Sequence, residues 1–383
     1  MKTILLLTIL FFTSTSILMS QSSKEILYVG TSSERGSKGI YVFEFDRSNN
    51  KFREIQTLTH KTSPTFLEIH PNGKFLYAVY REGSTNEDKN GTVSAFEINQ
   101  NTGAIHLINE VSSEGAGPCH VSVDPKGEFV YVSNYGGGNL SVIPLKEDGS
   151  LETASDVVQH TGSSIHPSRQ KQPYMHSIIP AKQGDYIFAS DLGVDKIFTY
   201  KIIRESGKLS PTKKSSIAST SGAGPRHFTI HPSQNLAFSV EELSSTIASY
   251  QVNPQTGELI AYERVPMLSP HFSQDKSSTA ADIHISPDGQ YLYASNRGDD
   301  TLVIYSIDGN NGKLTLVGHE PTQGAHPRNF YIDHTGDFIL VANKDNDHFV
   351  MFDRDKDTGK LNYNGTEVQV PAAVCLKMLS LNY

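Results

Sequence analysis

The sequence has no tryptophan and only two cysteines, Cys119 and Cys375, among 383 residues. Two thiols are too few for the disulfide framework of a small secreted scaffold, so burial must hold the fold. There is no long basic run, and the net charge is −8 at neutral pH. Nucleic acid, which calls for a cationic face, is therefore not an expected partner. No segment reads as a long amphipathic helix. The apolar run Ile4–Phe12, behind Lys2, is too short to span a bilayer but has the length of a signal-peptide core. Small polar residues follow it, so residues 1–20 read as a signal peptide cleaved near Ser20/Gln21, with no cysteine nearby to take a lipid. The mature chain, 21–383, is expected to be exported, periplasmic or extracellular, without a membrane span.

What the chain does have is 17 Tyr, 18 Phe and 30 Gly, a supply suited to short strands and tight turns. One pattern recurs: a proline, an alternating apolar run, a second proline seven residues on, a turn, and another apolar run. It begins at Pro64 (PTFLEIHPNGKFLYAV), Pro118, Pro173, Pro225, Ala280 and Pro327. A spacing of about 45–55 residues is that of propeller blades. Further strand-like runs lie between, such as TVSAFEI (92–98), NLSVIPL (139–145) and TLVIYSI (301–307), giving four strands per unit. The two ends complete one another: ILYVGTSS (26–33) matches the second strand of the repeat and PAAVCLKML (371–379) the first. The expectation is an all-β, seven-bladed propeller of four-stranded antiparallel blades, its ring closed by pairing the N- and C-terminal segments. Closure leaves no free sheet edge. In this ring Cys119 and Cys375 fall in different blades with another between them, so both are expected to be free, buried thiols.

Counted from the first proline, the fifth position reads Ile69, Val123, Ile178, Ile230, Ile285, Ile332 and Leu376. The third reads Leu67, Val121, His176, Phe228, Ile283, Phe330 and Val374, with His176 the one polar residue of the two rows. The positions just after the proline are polar instead, and include Cys119, His120, Tyr174, Arg226, His227, Asp282 and Arg328. The second strand, running antiparallel, ends beside them on Ser32, Arg81, Tyr135, Leu192, Glu242, Arg297 and Lys344. The stretch from Ser221 to Arg297 is the densest part of this rim. A cationic mouth on an acidic protein favours a small anionic ligand. There is no P-loop, nucleotide fingerprint or G-x-S-x-G turn, and no H-x-x-x-H or C-x-x-C spacing for a metal. Asp282 and His284 share a strand face, which alone is a weak metal signal. No cofactor is expected. What remains is general acid/base chemistry, with His176 or Glu242 moving the proton and Arg226 and Arg297 stabilising charge; lactone hydrolysis asks for no more.

The chain resembles the lactonase seven-bladed propellers, which include the propeller-type 6-phosphogluconolactonases and the carboxy-muconate lactonizing enzymes. The likeness is carried by GAGPCHVSVDP (115–125), SNYGGGNLSV (133–142), DLGVDKIFTY (191–200), GAGPRHFTIHP (222–232), EELSSTI (241–247), AADIHISPDGQYLYASNRG (280–298) and HPRNFYID (326–333). Arg169-Gln170 before Pro173 fits it too. The resemblance implies catalytic roles for His176, Arg226, Glu242 and Arg297, and a sugar lactone as substrate. His120, Tyr135, Tyr174, His227, Asp282, His284 and Arg328 are the expected substrate contacts. Where many members have P-H-x-H, this chain has Tyr174 in place of the first histidine. A muconate-type lactonizing enzyme and a non-catalytic sugar- or protein-binding propeller are the alternatives.

Overall fold

Seven four-stranded antiparallel sheets stand around a central axis in the computed structural model, which describes residues 24–81, 91–273 and 275–381. The expected signal peptide lies outside the described residues. Blade one joins the chain ends: Ala373–Leu381 is its inner strand, followed outward by Lys24–Thr31, Ile40–Asp46 and Lys51–Leu58. Blades two to seven each run outward in sequence order, with inner strands Pro64–Ile69, Pro118–Val123, Met175–Pro180, Pro225–Ile230, Thr279–Ile285 and Pro327–Ile332. Lys24 pairs with Leu381 and Thr31 with Ala373, so the expected closure holds.

Burial explains the sequence pattern strand by strand. The second strands, such as Phe75–Tyr80 and Phe338–Asn343, are buried along their whole length, covered by sheets on both sides. They read accordingly as unbroken apolar runs. The outermost strands alternate instead; Lys208–Ala218 buries only one face against its neighbour. Between blades lies a row of large apolar side chains: Leu67, Val121, Ile178, Phe228, Ile283, Phe330 and Leu376, none more than 3% exposed. Each contributes about 1.5–3 kcal/mol by leaving water.

This row corrects the sequence register. In blade four Met175 pairs with Asp191, as Pro225 pairs with Glu241 in blade five. Met175, not Pro173, is therefore the first position. In blade one the first position is likewise Ala373, opposite Thr31. His176 is thus no polar break in an aliphatic row, since Ile178 fills that place. It is the equivalent of Cys119 and Arg226, at the bulged second residue of the inner strand. The bulge has a consequence for function: it turns an extra side chain toward the channel mouth. The two cysteines are free and buried, as expected.

Candidate active site

The mouth is assembled by turns. Gly224 has φ +67°, and a Cβ there would meet Leu243 and Leu192 side chains at 2.9 and 3.1 Å, so the position needs glycine. The turn folds back so that the Glu242 N–H donates to the Gly224 carbonyl (2.7 Å), which sets the start of Arg226's strand beside Glu242. Asp195 fixes the turn from the neighbouring blade. Its carboxylate accepts from the Gly222 N–H (2.6 Å), the Gly224 N–H (2.7 Å), Gln170 Nε2 (2.7 Å) and Ser164 Oγ (2.5 Å). Gln170, fully buried, also donates to the Leu192 carbonyl, so the loop before blade four is tied to the same turn.

That loop delivers Arg169. Glu242, 2% exposed, sits among three guanidinium groups. Arg169 Nη2 approaches Oε1 at 2.5 Å, Arg226 Nε approaches Oε2 at 3.0 Å, and Arg297 Nη2 approaches Oε2 at 3.1 Å. Burial pushes the Glu242 carboxyl pKa up, but Arg297, Arg226 and Arg169 together outweigh it and hold it below the usual carboxylate range. Arg226 also donates to the Ala281 carbonyl, and Arg297 to the carbonyls of Ala280 (2.7 Å) and Thr279 (3.3 Å). Arg226 Nη2 and Arg297 Nη1 have no hydrogen-bond partner among the described residues. His176 Nε2 stands 4.0 Å from Glu242 Oε2. Its ring lies edge-on to Tyr135 (centroids 5.4 Å) and to His227 (5.3 Å). Burial, then Arg226, holds its pKa well below the ordinary histidine value, so it is neutral near pH 7. Tyr135 and Tyr174 stack at 4.8 Å, and Arg169 Nη2 reaches the Tyr135 hydroxyl at 3.3 Å.

Beside this centre the mouth widens into a cavity of about 330 Å³ lined by Thr65, Ser63, Ser32, Arg81, Arg328 and Lys344. Lys344 is paired with Glu34 at 2.6 Å. Among the described residues Arg81 and Arg328 face no carboxylate within ion-pair distance. Burial, then Arg226 and Arg297, lowers the Arg328 pKa to about 9. A bound anion would offset the repulsion among Arg328, Arg226, Arg297 and Arg81.

The four expected catalytic residues are thus brought together, with Tyr135 and Tyr174 at their edge and Arg328 across the mouth. His120, His227, Asp282 and His284 are not on this rim: they line the channel deeper in, around a separate cavity. By sequence register alone His120, His227 and Asp282 are expected among the rim positions. The bulge is the reason, since it sends the second residue of the inner strand to the mouth and the third down the channel. Three residues outside the expected site belong to it geometrically: Arg169, Asp195 and Arg81. Arg169 and Asp195 sit in motifs already singled out, but only the loop's path shows what they reach. Asp282 has no lone pair to spare for a metal: it accepts from His227, His284, Asn329 and the N–H groups of Ile283 and Phe330.

Ring and centre define a seven-bladed propeller with a charged, ligand-sized mouth at one end of its channel. The chain belongs to the family of lactonases with a seven-bladed β-propeller, whose model matches residues 26–378. It is 35% identical over 311 residues to 6-phosphogluconolactonase of Bacillus subtilis, covering 81% of this chain and 86% of that protein. The corresponding protein of Formosa agariphila is 36% identical over 312 residues, covering 80% and 86%. Among solved structures, a putative 6-phosphogluconolactonase from Bacteroides fragilis superposes with a TM-score of 0.86 at 33% identity, covering 94% of this chain and 99% of that one. The periplasmic gluconolactonase PpgL of Pseudomonas aeruginosa gives 0.87 at 28% identity, covering 94% and 100%.

Proposed function

We propose that this protein hydrolyses an anionic sugar lactone at the Glu242 centre, in the manner of a 6-phosphogluconolactonase. The observation that carries the reading is the carboxylate held between three arginines, 4.0 Å from a neutral histidine, in a chain similar to such lactonases.

In this reading the two candidate bases separate. Glu242 has both oxygens engaged by guanidinium groups and holds Arg226 and Arg297 in place. His176, neutral and with Nε2 facing the carboxylate, takes the proton of the attacking water as its oxygen bonds to the lactone carbonyl carbon. The unpaired Arg226 Nη2 and Arg297 Nη1 donate to the oxyanion that forms, where preorganised donors act most strongly. Collapse of the tetrahedral species breaks the ring C–O bond, and His176 returns the proton to the departing alkoxide, giving the open-chain acid. Nothing in this sequence of steps asks for a cofactor. Arg328 and Arg81 take the anionic substituent, and Tyr135 and Tyr174 supply an apolar face to the sugar ring.

The likeness to PpgL supports a second form of the reading, an exported gluconolactonase acting on an unphosphorylated lactone. Assays of the purified chain on 6-phosphogluconolactone and glucono-1,5-lactone, each corrected for spontaneous opening, decide between them. A preference for the phosphorylated lactone that disappears in Arg328→Met supports the first form; equal rates support the second. Hydrolysis of neither above the uncatalysed rate overturns both. A muconate-type lactonizing activity would appear instead as ring closure of a dicarboxylate.

A further inference from the structure

Below the Glu242 centre the channel holds a second cavity of about 240 Å³, lined by Phe66, His120, His227, Asp282, His284 and Lys377 among others. That is below the 300–1,000 Å³ usual for drug-sized ligands, and suited to something of monosaccharide size. We propose that it is a second ligand site, separate from the lactone centre, for a small uncharged polyhydroxylated molecule such as an aldose or a cyclitol.

His120 in the cavity wall lacks a hydrogen bond. It is 3% exposed, and no hydrogen bond to either ring nitrogen is present among the described residues; Nδ1 is sealed within the wall while the ring borders the cavity. Buried polar groups without partners are rare enough in folded proteins to call for a cause. The His120 ring lies against Phe66 (centroids 4.4 Å) and faces His227 (5.5 Å) across the channel.

Asp282 fixes the tautomer of His227. Its Nδ1 lies 2.7 Å from Asp282 Oδ1, which also accepts from the Ile283 N–H (3.0 Å). Oδ2 accepts from His284 Nε2 (2.9 Å), Asn329 Nδ2 (2.5 Å) and the Phe330 N–H (3.3 Å). A carboxylate with five donors is an anion and accepts only, so His227 Nδ1 carries the proton and its Nε2 is a bare acceptor. One wall of the cavity is therefore lined by His227, with a free acceptor at Nε2, and by His120, whose Nε2 has no hydrogen bond among the described residues. Hydroxyl groups, which donate and accept at once, satisfy both.

Lys377 is paired with Glu68 at 2.8 Å, and the Asp282 carboxylate has both oxygens already occupied by its histidine and amide donors. No unpaired buried cation lines the cavity to hold an anionic ligand, in contrast with Arg81 and Arg328 at the mouth. Phe66, Phe228 and Ile283 supply the apolar surface that C–H faces of a sugar ring use. Nor is it a metal site: among the described residues the one group of donors close enough to share an ion is Glu25, Asp333 and His334. Arg47 already bridges two of those, at 2.6 and 2.8 Å.

The way in lies on the opposite face from Glu242. The cavity reaches Ile230 and Lys182, at the far ends of their inner strands. Lys182 is exposed and takes the place of Pro71, Pro125, Pro232 and Pro287 in other blades.

The test is calorimetric titration of the full chain with D-glucose and myo-inositol, alongside glucose 6-phosphate, gluconate and zinc chloride. The expected result is binding of a neutral probe at one equivalent. His120→Phe weakens it about tenfold or more, the loss of one or two hydrogen bonds. Lys182→Trp, at an exposed position that leaves the fold alone, also weakens it by narrowing the opening. Arg328→Met, at the upper mouth, leaves it unchanged. The proposal is overturned if neither neutral probe binds, or if Arg328→Met abolishes that binding, which would place it at the lactone centre. It is equally overturned if a charged probe or zinc binds more tightly than the sugars and depends on His120.

Discussion

Arg169 Nη2 lies 2.5 Å from Glu242 Oε1 although 73 residues separate them in the chain. The side chain of Arg169 is 38% exposed and that of Glu242 only 3%, so the arginine closes the clamp from the solvent side while Arg226 and Arg297 close it from within.

Arg169 should therefore act through Glu242. Arg169→Met removes a charge-assisted hydrogen bond of about 1.5–3 kcal/mol, and kcat/KM on the preferred lactone should fall about tenfold or more. Arg169→Lys should recover part of it, as a point charge without the planar fork. Steady-state kinetics of both variants check this; equal losses would mean the charge is irrelevant.

Asp195 predicts a coupling. Asp195→Ala removes four hydrogen bonds that hold the loop carrying Arg169 to the turn carrying Arg226. Stability should drop by about 3 kcal/mol, and the Arg169→Met loss should be much smaller in this background. A double-mutant cycle on kcat/KM reads the coupling directly; additive losses would separate the two residues.

Glu242 and His176 should fail in different ways. Glu242→Gln leaves three guanidinium groups around an uncharged amide, costing about 3–5 kcal/mol of stability along with activity. His176→Asn should leave the melting temperature nearly unchanged and lower kcat by about 10²–10⁴, with a smaller change in KM. Urea unfolding and initial rates measured on the same preparations distinguish them.

Acid should destabilise the fold earlier than carboxylates alone would cause. His120 and His176 are held well below the ordinary histidine pKa, and His227 is lowered to about 4, in each case chiefly by burial. The unfolded chain takes up protons from about pH 6.5 downward while the folded chain does not, so stability is full above that pH and falls as pH drops. The slope is up to about 1.4 kcal/mol per pH unit for each histidine. Unfolding midpoints measured from about pH 8 to about pH 5 should be flat at the upper end and fall at the lower. His120→Phe should make that fall shallower, and an unchanged slope would exclude His120 as a contributor.

Both thiols should be silent in the folded protein. Burial pushes Cys119 up to about 11 and Cys375 to about 12. Ellman's reagent should release no colour until denaturant is added, and then two equivalents, matching the two cysteines of the chain. Reaction without denaturant would mean that the inner strands open.

Fold and closure were legible because they rest on repetition: aliphatic rows recur in every blade, turn prolines in four of them (Pro71, Pro125, Pro232 and Pro287), and the two half-patterns at the chain ends fit together. The register of blade four was not legible, because Pro180 imitates the turn proline. It occupies the strand-end place of Ile69, Val123 and Ile230, and Lys182 takes the turn position. His176 was singled out for standing in an aliphatic row, yet it occupies the bulge, where polar residues are the rule. The likeness to the lactonase propellers had selected it independently. Arg169 lies in a loop without periodicity, and only three-dimensional reach connects it to Glu242. The division of the channel into a cationic mouth and a histidine-lined lower cavity was equally hidden, since neighbouring residues such as Arg226 and His227 face different halves of it.

The closing blade has a consequence in time. Cys375 accepts the Leu67 N–H at 3.3 Å across 308 residues, and Lys377 meets Glu68 in the channel wall. As the chain leaves the ribosome these contacts are the last to become available, because the strand Ala373–Leu381 is made after every other. Until it arrives, blade one lacks its inner strand and the channel has a missing stave. Such late, distant pairings are slow to form and leave strand edges exposed while they wait. A stalled or shortened chain would thus hold Arg226, Glu242 and Arg297 on consecutive finished blades and still have no closed channel around them.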